Sequence, residues 1–332
     1  MSVFRISIST IVAILAGIVV MLMVSSHIVL SLLTQATIYA VFAVGLGILL
    51  RQNGHASFGH ALFFGLAGYA MAIILRLDLM PAEAAVVVTL LGMGVFAFLI
   101  GLVMVRVPGI AFSMLTLAVG QMGYLTISRS RGWTGGADGM GIDWPARLFG
   151  FTQAQLLQPS TWFLICWVVL VVVIALLTLL LRGRFGAVTE AVRDNEERAR
   201  FIGISTVLPR AVIFALSAMV TGLSGVLAGF NTGFISPESL HWSLSGMMLM
   251  MVIVGGFKVL WGPALGAAAY FLLKDVLGEF ASHWMAIFGV VLITVIVFSP
   301  TGIAGALQRL LGANNNAKPQ HAIGINEHST EA

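Results

Sequence analysis

Charge is what this sequence lacks most. Only 9% of its 332 residues are Asp, Glu, Lys or Arg, against roughly 25% in a soluble domain. So few charges cannot clothe a water-exposed surface, so most of the surface must face lipid. Cysteine is almost absent. Cys166 is the single one, which excludes an internal disulfide and a thiol metal cluster. Its place in the apolar run 162–181 reads as a small core or lipid-facing residue. The only lysines are Lys258, Lys274 and Lys318. None stands in a Gly-x-x-x-x-Gly-Lys-Ser/Thr pattern, so there is no phosphate-binding P-loop. The absence of His-Glu-x-x-His and of any nucleophile–base pair argues against an intramembrane enzyme. Mid-membrane carboxylates are missing too, Lys274 and Asp275 near one helix end being a partial exception. An ion-coupled carrier normally needs at least one.

What is present is apolar sequence, 59% of the chain, with 37 glycines. Glycine is tolerated in membrane helices and lets their backbones approach. A spanning helix needs about 20 mostly apolar residues. Ten segments qualify or nearly so: 8–25, 28–50, 56–75, 84–105, 110–128, 160–181, 210–231, 241–257, 262–280 and 284–306. The expected fold is therefore all-α, a polytopic membrane helix bundle with 8–10 full crossings. Segment 56–75 is rich in Gly and Ser at its start and reads as a broken or partial helix. The first segment resembles a secretory signal, but its length and the apolar segments after it favour a retained helix.

The net charge of +4 reflects topology and not affinity for nucleic acid. With both termini cytoplasmic, twelve of the 17 Lys and Arg residues fall on the inner side and five on the outer side. That bias obeys the positive-inside rule. It makes 182–209 an inner loop and 129–159 an outer one. The polar stretch from 313 to 332 reads as a disordered cytoplasmic tail, leaving 1–312 as the membrane domain.

The inner loop is expected to hold one amphipathic helix over 187–202, with Gly203 as its left-handed stop. Its apolar positions are Ala187, Ala191, Val192, Ala199 and Ile202. Its charges include a favourable Glu196–Arg200 pair one turn apart. Two readings stand: a solvated connection, or a helix that docks on a cytoplasmic partner. A plain connection would be shorter.

The stretch Ala191-Val192-Arg193-Asp194-Asn195-Glu196-Glu197-Arg198-Ala199-Arg200-Phe201-Ile202-Gly203-Ile204 resembles the cytoplasmic loop of LivM-type permeases, the membrane subunits of ABC importers for branched-chain amino acids. Four other stretches agree in order: 55–61 (His-Ala-Ser-Phe-Gly-His-Ala), 134–139 (Thr-Gly-Gly-Ala-Asp-Gly), 233–239 (Gly-Phe-Ile-Ser-Pro-Glu-Ser) and 254–263 (Val-Gly-Gly-Phe-Lys-Val-Leu-Trp-Gly-Pro). The resemblance covers about residues 30 to 305. It departs from the family pattern at Gln52-Asn53-Gly54-His55 and Phe257-Lys258-Val259.

The resemblance implies a LivH-type permease partner, two cytoplasmic ATPase subunits and a periplasmic binding protein in the bacterial inner membrane. ATP and magnesium would sit on the ATPase chains, and this chain would bind no cofactor or metal. The coupling role would fall to Glu190, Arg193, Asp194, Asn195, Glu196 and Gly203. Branched-chain or related amino acids are the implied cargo. Urea, short amides and other small acids are the alternative, and a secondary carrier is a more distant one.

Other residues carry weaker signals. His55 and His60, five apart, share no helix face and have no third ligand nearby, so a hydrogen-bonding role at a helix end outweighs a metal site. Ser57 and His60 are candidates for the substrate pathway. So are Thr116, Gln121 and Asn231, polar groups within apolar segments. Thr134, Gly135 and Asp138 of the outer loop offer partners for an amino acid's charged ends, or simply a Gly-rich turn. Ala218, Gly222, Gly225 and Gly229 form a small-residue face suited to close helix packing.

Overall fold

Backbone polar groups in lipid must be satisfied within the chain, which leaves helices as the way to bury such long apolar runs. The computed structural model describes residues 3–24, 26–278 and 301–310, with 286, 287, 289, 290, 293 and 294 between the last two. Its main helices are α1 (Val3–Met23), α2 (His27–Asn53), α3 (His60–Arg76), α4 (Ala82–Met104) and α5 (Gly109–Arg129). After two short helical turns, α6 (Arg131–Thr134) and α7 (Gln153–Leu156), come α8 (Pro159–Arg182), α9 (Arg184–Asp194) and α10 (Glu196–Phe201). The chain continues through α11 (Val207–Thr232), α12 (Trp242–Gly255), α13 (Gly262–Gly278) and α14 (Gly302–Leu310). Among the described residues six helices are long and apolar enough to cross a membrane: α1, α2, α4, α5, α8 and α11. The chain is a polytopic helical bundle.

The centre of the bundle is the pair α2 and α11. Their contacts fix an antiparallel register. The Asn53 amide donates to the Arg210 carbonyl at 3.0 Å, Ser217 Oγ to the Gly45 carbonyl, and Ser224 Oγ to the Ile38 carbonyl at 2.6 Å. Each step is about two helical turns, so three side chains on one stripe tie the helices along their length. The small-residue face behaves as the spacing predicts. Gly222 lies against Ala67 and Met93, and a Cβ on Gly225 would collide with the Phe64 carbonyl.

Each central helix ends the same way. α2 stops at Gly54 (φ 71°) and α11 at Gly233 (φ 65°), both in the left-handed region that glycine enters without strain. A linking segment follows each, irregular after α2 but holding a strand and a 3-10 turn (Pro237–Leu240) after α11, and then a shorter helix, α3 or α12. Since α2 and α11 run oppositely, these two stops lie at opposite ends of the bundle.

At one end, 54–59, the 105–108 turn, α9, α10 and the start of α11 gather. At the other, β1 (Met140–Gly141) pairs antiparallel with β4 (Phe234–Ile235), and β2 (Arg147–Leu148) pairs with β3 (Phe151–Thr152).

Three expectations change. The third segment is broken as predicted, but its helix begins at His60, not near 56. The single helix over 187–202 is two helices. Asn195 between them is extended (φ −157°, ψ 101°), and its Oδ1 accepts from the Arg198 amide at 2.8 Å, capping the second helix. An Asn side chain competes with the helical backbone in just this way. The segment drawn over 284–306 does not run unbroken to 306, because Gly302 (φ 72°) opens α14. The tail from 313 and most of 284–300 lie outside the described residues.

Candidate functional site

The inner loop is anchored to both central helices. α9 packs along the end of α2, where Thr189 Oγ1 donates to Gln52 Oε1 at 2.8 Å and Arg193 Nη1 donates to the Arg51 carbonyl at 2.6 Å. Glu190 lies 3.8 Å from the Arg51 guanidinium, and Arg193 also holds Asp194 at 2.7 Å. α10 is tied to α11 instead. Glu196 accepts from Arg210 Nη1 at 2.6 Å, from Arg200 at 2.6 Å and from Thr206 at 3.0 Å. Arg210 is 8% exposed and also reaches the Val192 carbonyl at 3.5 Å. Gly203 (φ 84°) closes α10, its amide donating to the Arg200 carbonyl at 2.9 Å. All six residues assigned to this loop from the sequence thus sit in one docked unit.

The electrostatics favour an ionised Glu196. Burial pulls its carboxyl upward, but the hydrogen bonds from Arg210 and Thr206 and the charges of Arg210 and Arg200 outweigh that pull. Its pKa lies below the ordinary 4.5.

With α9 fixed inward, α10 presents an apolar tip to the outside. Phe201 is 90% exposed and Ile202 is 70% exposed. Burying a Phe side chain is worth about 1.5–3 kcal/mol, a stabilisation this exposed pair forgoes in the single chain. The sequence reading assigned the charges of this loop and passed over Phe201. The signal was there, since two large apolar residues end a run of seven charges.

The second cluster lies at the break between α2 and α3. His60 is fully buried, with Nδ1 2.7 Å from Ser57 Oγ and Nε2 2.8 Å from Ser217 Oγ. The bond directions fix its tautomer. Ser217 spends its hydrogen on the Gly45 carbonyl, so it accepts from Nε2–H. Nδ1 is then the acceptor for Ser57, whose oxygen takes the Gly59 amide. Both ring nitrogens of His60 are thus engaged by serine hydroxyls. Thr116 joins from α5, accepting the Phe58 amide at 3.2 Å, while Ser113 donates to the Ala56 carbonyl at 2.7 Å. Ser245 of α12 accepts the Ala61 amide at 2.8 Å. Hydroxyls from two helices, α5 and α12, therefore satisfy the backbone that the non-helical segment leaves open.

Ser57, His60 and Thr116 are thus brought together; the remaining pathway candidates are dispersed. Gln121 lies further along α5, its Oε1 buried with no partner among the described residues. Thr134 is buried, its hydroxyl bonded back to the Ile127 and Ser130 carbonyls at 2.8 Å. Gly135 follows in the left-handed region (φ 74°), and Asp138 is exposed. Asn231 lines a separate cavity of about 340 Å³ beside Trp144 and Trp162. Ser217, Ser245 and Arg210 escaped sequence reasoning because their partners lie far away in the chain.

Comparison with known proteins adds to this geometry. A family model described as "Branched-chain amino acid transport system / permease component" matches residues 28–299. The high-affinity branched-chain amino acid permease protein LivM of Escherichia coli K12 is 23% identical over 304 residues, covering 86% of this chain and 72% of the relative. Its Salmonella typhimurium counterpart is 23% identical over 290 residues, covering 81% and 68%. The autoinducer 2 import permease protein LsrC of Escherichia coli is 28% identical over 277 residues, covering 80% and 77%. No solved structure shows a significant match.

Proposed function

The chain belongs to the family of branched-chain amino acid transport permease components, multi-pass proteins of the inner membrane, and we propose that it carries branched-chain or related amino acids inward, driven by ATP hydrolysed on partner chains. It is an ABC-type permease and a transport subunit. In the proposed assembly it pairs with a LivH-type permease, two ATPase subunits and a periplasmic binding protein. It binds no cofactor itself, both termini are cytoplasmic, and the basic end of the bundle faces the cytoplasm.

One observation carries the reading. The inner loop is fastened to α2 through Arg193 and to α11 through Glu196–Arg210, while Phe201 and Ile202 stand free. A partner gripping that tip moves both central helices together. Closure of the ATPase pair is then transmitted along α2 and α11 to the break where α3 begins, and access alternates from one face to the other. Ser57, His60, Thr116, Gln121, Thr134, Gly135, Asp138 and Asn231 are the proposed pathway residues.

The likeness to LsrC supports a second cargo, autoinducer 2. Short amides such as urea are a further alternative. The test is uptake by proteoliposomes holding this chain with its partner subunits and binding protein. ATP-dependent accumulation of labelled leucine, isoleucine or valine supports the amino acid reading. Uptake of autoinducer 2 or urea in their place overturns the cargo. Uptake without ATP overturns the class.

A further inference from the structure

The basic end of the bundle holds a cavity of about 600 Å³ that the transport reading does not use. It lies between α1, α8, the turn joining α12 to α13, and α14. Arg51 and Arg182 both line it, at the ends of α2 and α8. No Asp or Glu lines it among the described residues. From Arg182 the wall runs down α8 through Thr178, Ala175 and Ile174 to Val171. The eleven residue steps from Val171 to Arg182 span roughly 16 Å, about half the hydrocarbon thickness. Trp261 completes the rim, a residue type enriched at headgroup level.

Two guanidiniums at the membrane face above an apolar wall one leaflet deep match one kind of molecule. We propose that this cavity binds an anionic phospholipid, its phosphate held by Arg51 and Arg182 and an acyl chain laid along α8. A guanidinium fork suits phosphate oxygens, and basic pockets between membrane helices commonly hold anionic headgroups. A soluble anion would use the arginines alone and leave the apolar wall uncovered. Arg51 is also the residue that Glu190 of α9 approaches at 3.8 Å. A phosphate in the cavity therefore competes with α9 for the same cation.

The full chain, purified in mild detergent, is titrated with phosphatidylglycerol, phosphatidylcholine and inorganic phosphate and read by native mass spectrometry. Phosphatidylglycerol is retained in preference to phosphatidylcholine, and millimolar phosphate does not displace it. In the double variant R51Q/R182Q retention falls about thirtyfold, as expected for two cations near the surface. Ala175→Trp leaves both arginines in place and fills the wall, and retention is lost there too. Equal retention of both lipids makes the cavity ordinary annular contact and overturns the proposal. So does full retention in Ala175→Trp, or displacement by phosphate, which marks a site for soluble anions.

Discussion

Arg210 Nη1 lies 2.6 Å from Glu196 Oε2. The two residues are fourteen apart, one opening α10 and the other in the first turn of α11, and their ion pair fixes how the inner loop meets the bundle. Glu196→Gln leaves a mostly buried guanidinium with a weakened partner. The cost to loop docking is about 1–2 kcal/mol, discounted from the buried-pair value because Glu196 is 31% exposed. In proteoliposomes with the partner subunits, the ratio of substrate moved to ATP hydrolysed should drop. A variant with the wild-type ratio would show that the pair does not transmit the ATPase stroke.

The same carboxyl predicts a pH response. Its pKa lies below the ordinary 4.5, so the pairing contributes its full stability above that value and is lost as pH falls through the lowered one. A spin label at position 198 should stay ordered at neutral pH and loosen only in acid below the ordinary carboxylate range. Loosening already at about pH 6 would point to a histidine instead.

Phe201 is the proposed partner anchor, and its exposure separates binding from folding. Phe201→Ala should leave thermal unfolding of the isolated chain unchanged. Its affinity for the ATPase subunits should fall at least about tenfold, the ordinary size of an aromatic interface anchor. Titration of purified ATPase onto the chain in nanodiscs measures this. Wild-type affinity would move the interface elsewhere, to the charged face of α9.

His60 ties the break before α3 to α11 through Ser57 and Ser217. His60→Ala removes the ring that Ser57 and Ser217 share, leaving the Ser57 hydroxyl hydrogen without its acceptor, and should destabilise the chain by about 1–3 kcal/mol, read as a lower unfolding temperature in detergent. Because His60 is fully buried with both nitrogens engaged, transport should show no histidine-like pH step that depends on this residue. A step that vanishes in His60→Gln would contradict that assignment.

The helices were legible because lipid admits few other solutions, and α4, α5 and α8 fall within a few residues of their predicted bounds. Even the break before α3 showed in its glycines and serines. The split of the inner loop was harder to see. Asn195 falls inside the one helix expected over 187–202, although an Asn followed by two glutamates is also a helix start. The three-way contact of Glu196, Arg210 and Thr206 and the meeting of His60 with Ser217 stayed hidden. Such partners depend on how α2 and α11 register, and helical periodicity gives each face without saying which faces meet. The scattered pathway candidates have the same origin, since polarity within an apolar segment marks a satisfied hydroxyl as readily as a lined route.

α1 stands apart from the rest of the bundle. Its main neighbour is α8, where the Trp167 indole donates to the Ala13 carbonyl at 2.8 Å and sits over Gly17. The family likeness begins at residue 28, just past it. A helix held along one seam is a detachable part. Its sequence can drift, and it can be exchanged or trimmed, with little consequence for the α2–α11 axis. What α1 does enclose, through Ile6, Ser9, Thr10 and Ala13, is one wall of the arginine-rimmed cavity. Divergence at this end of the chain would therefore retune which lipids the protein keeps company with, leaving its transport core untouched.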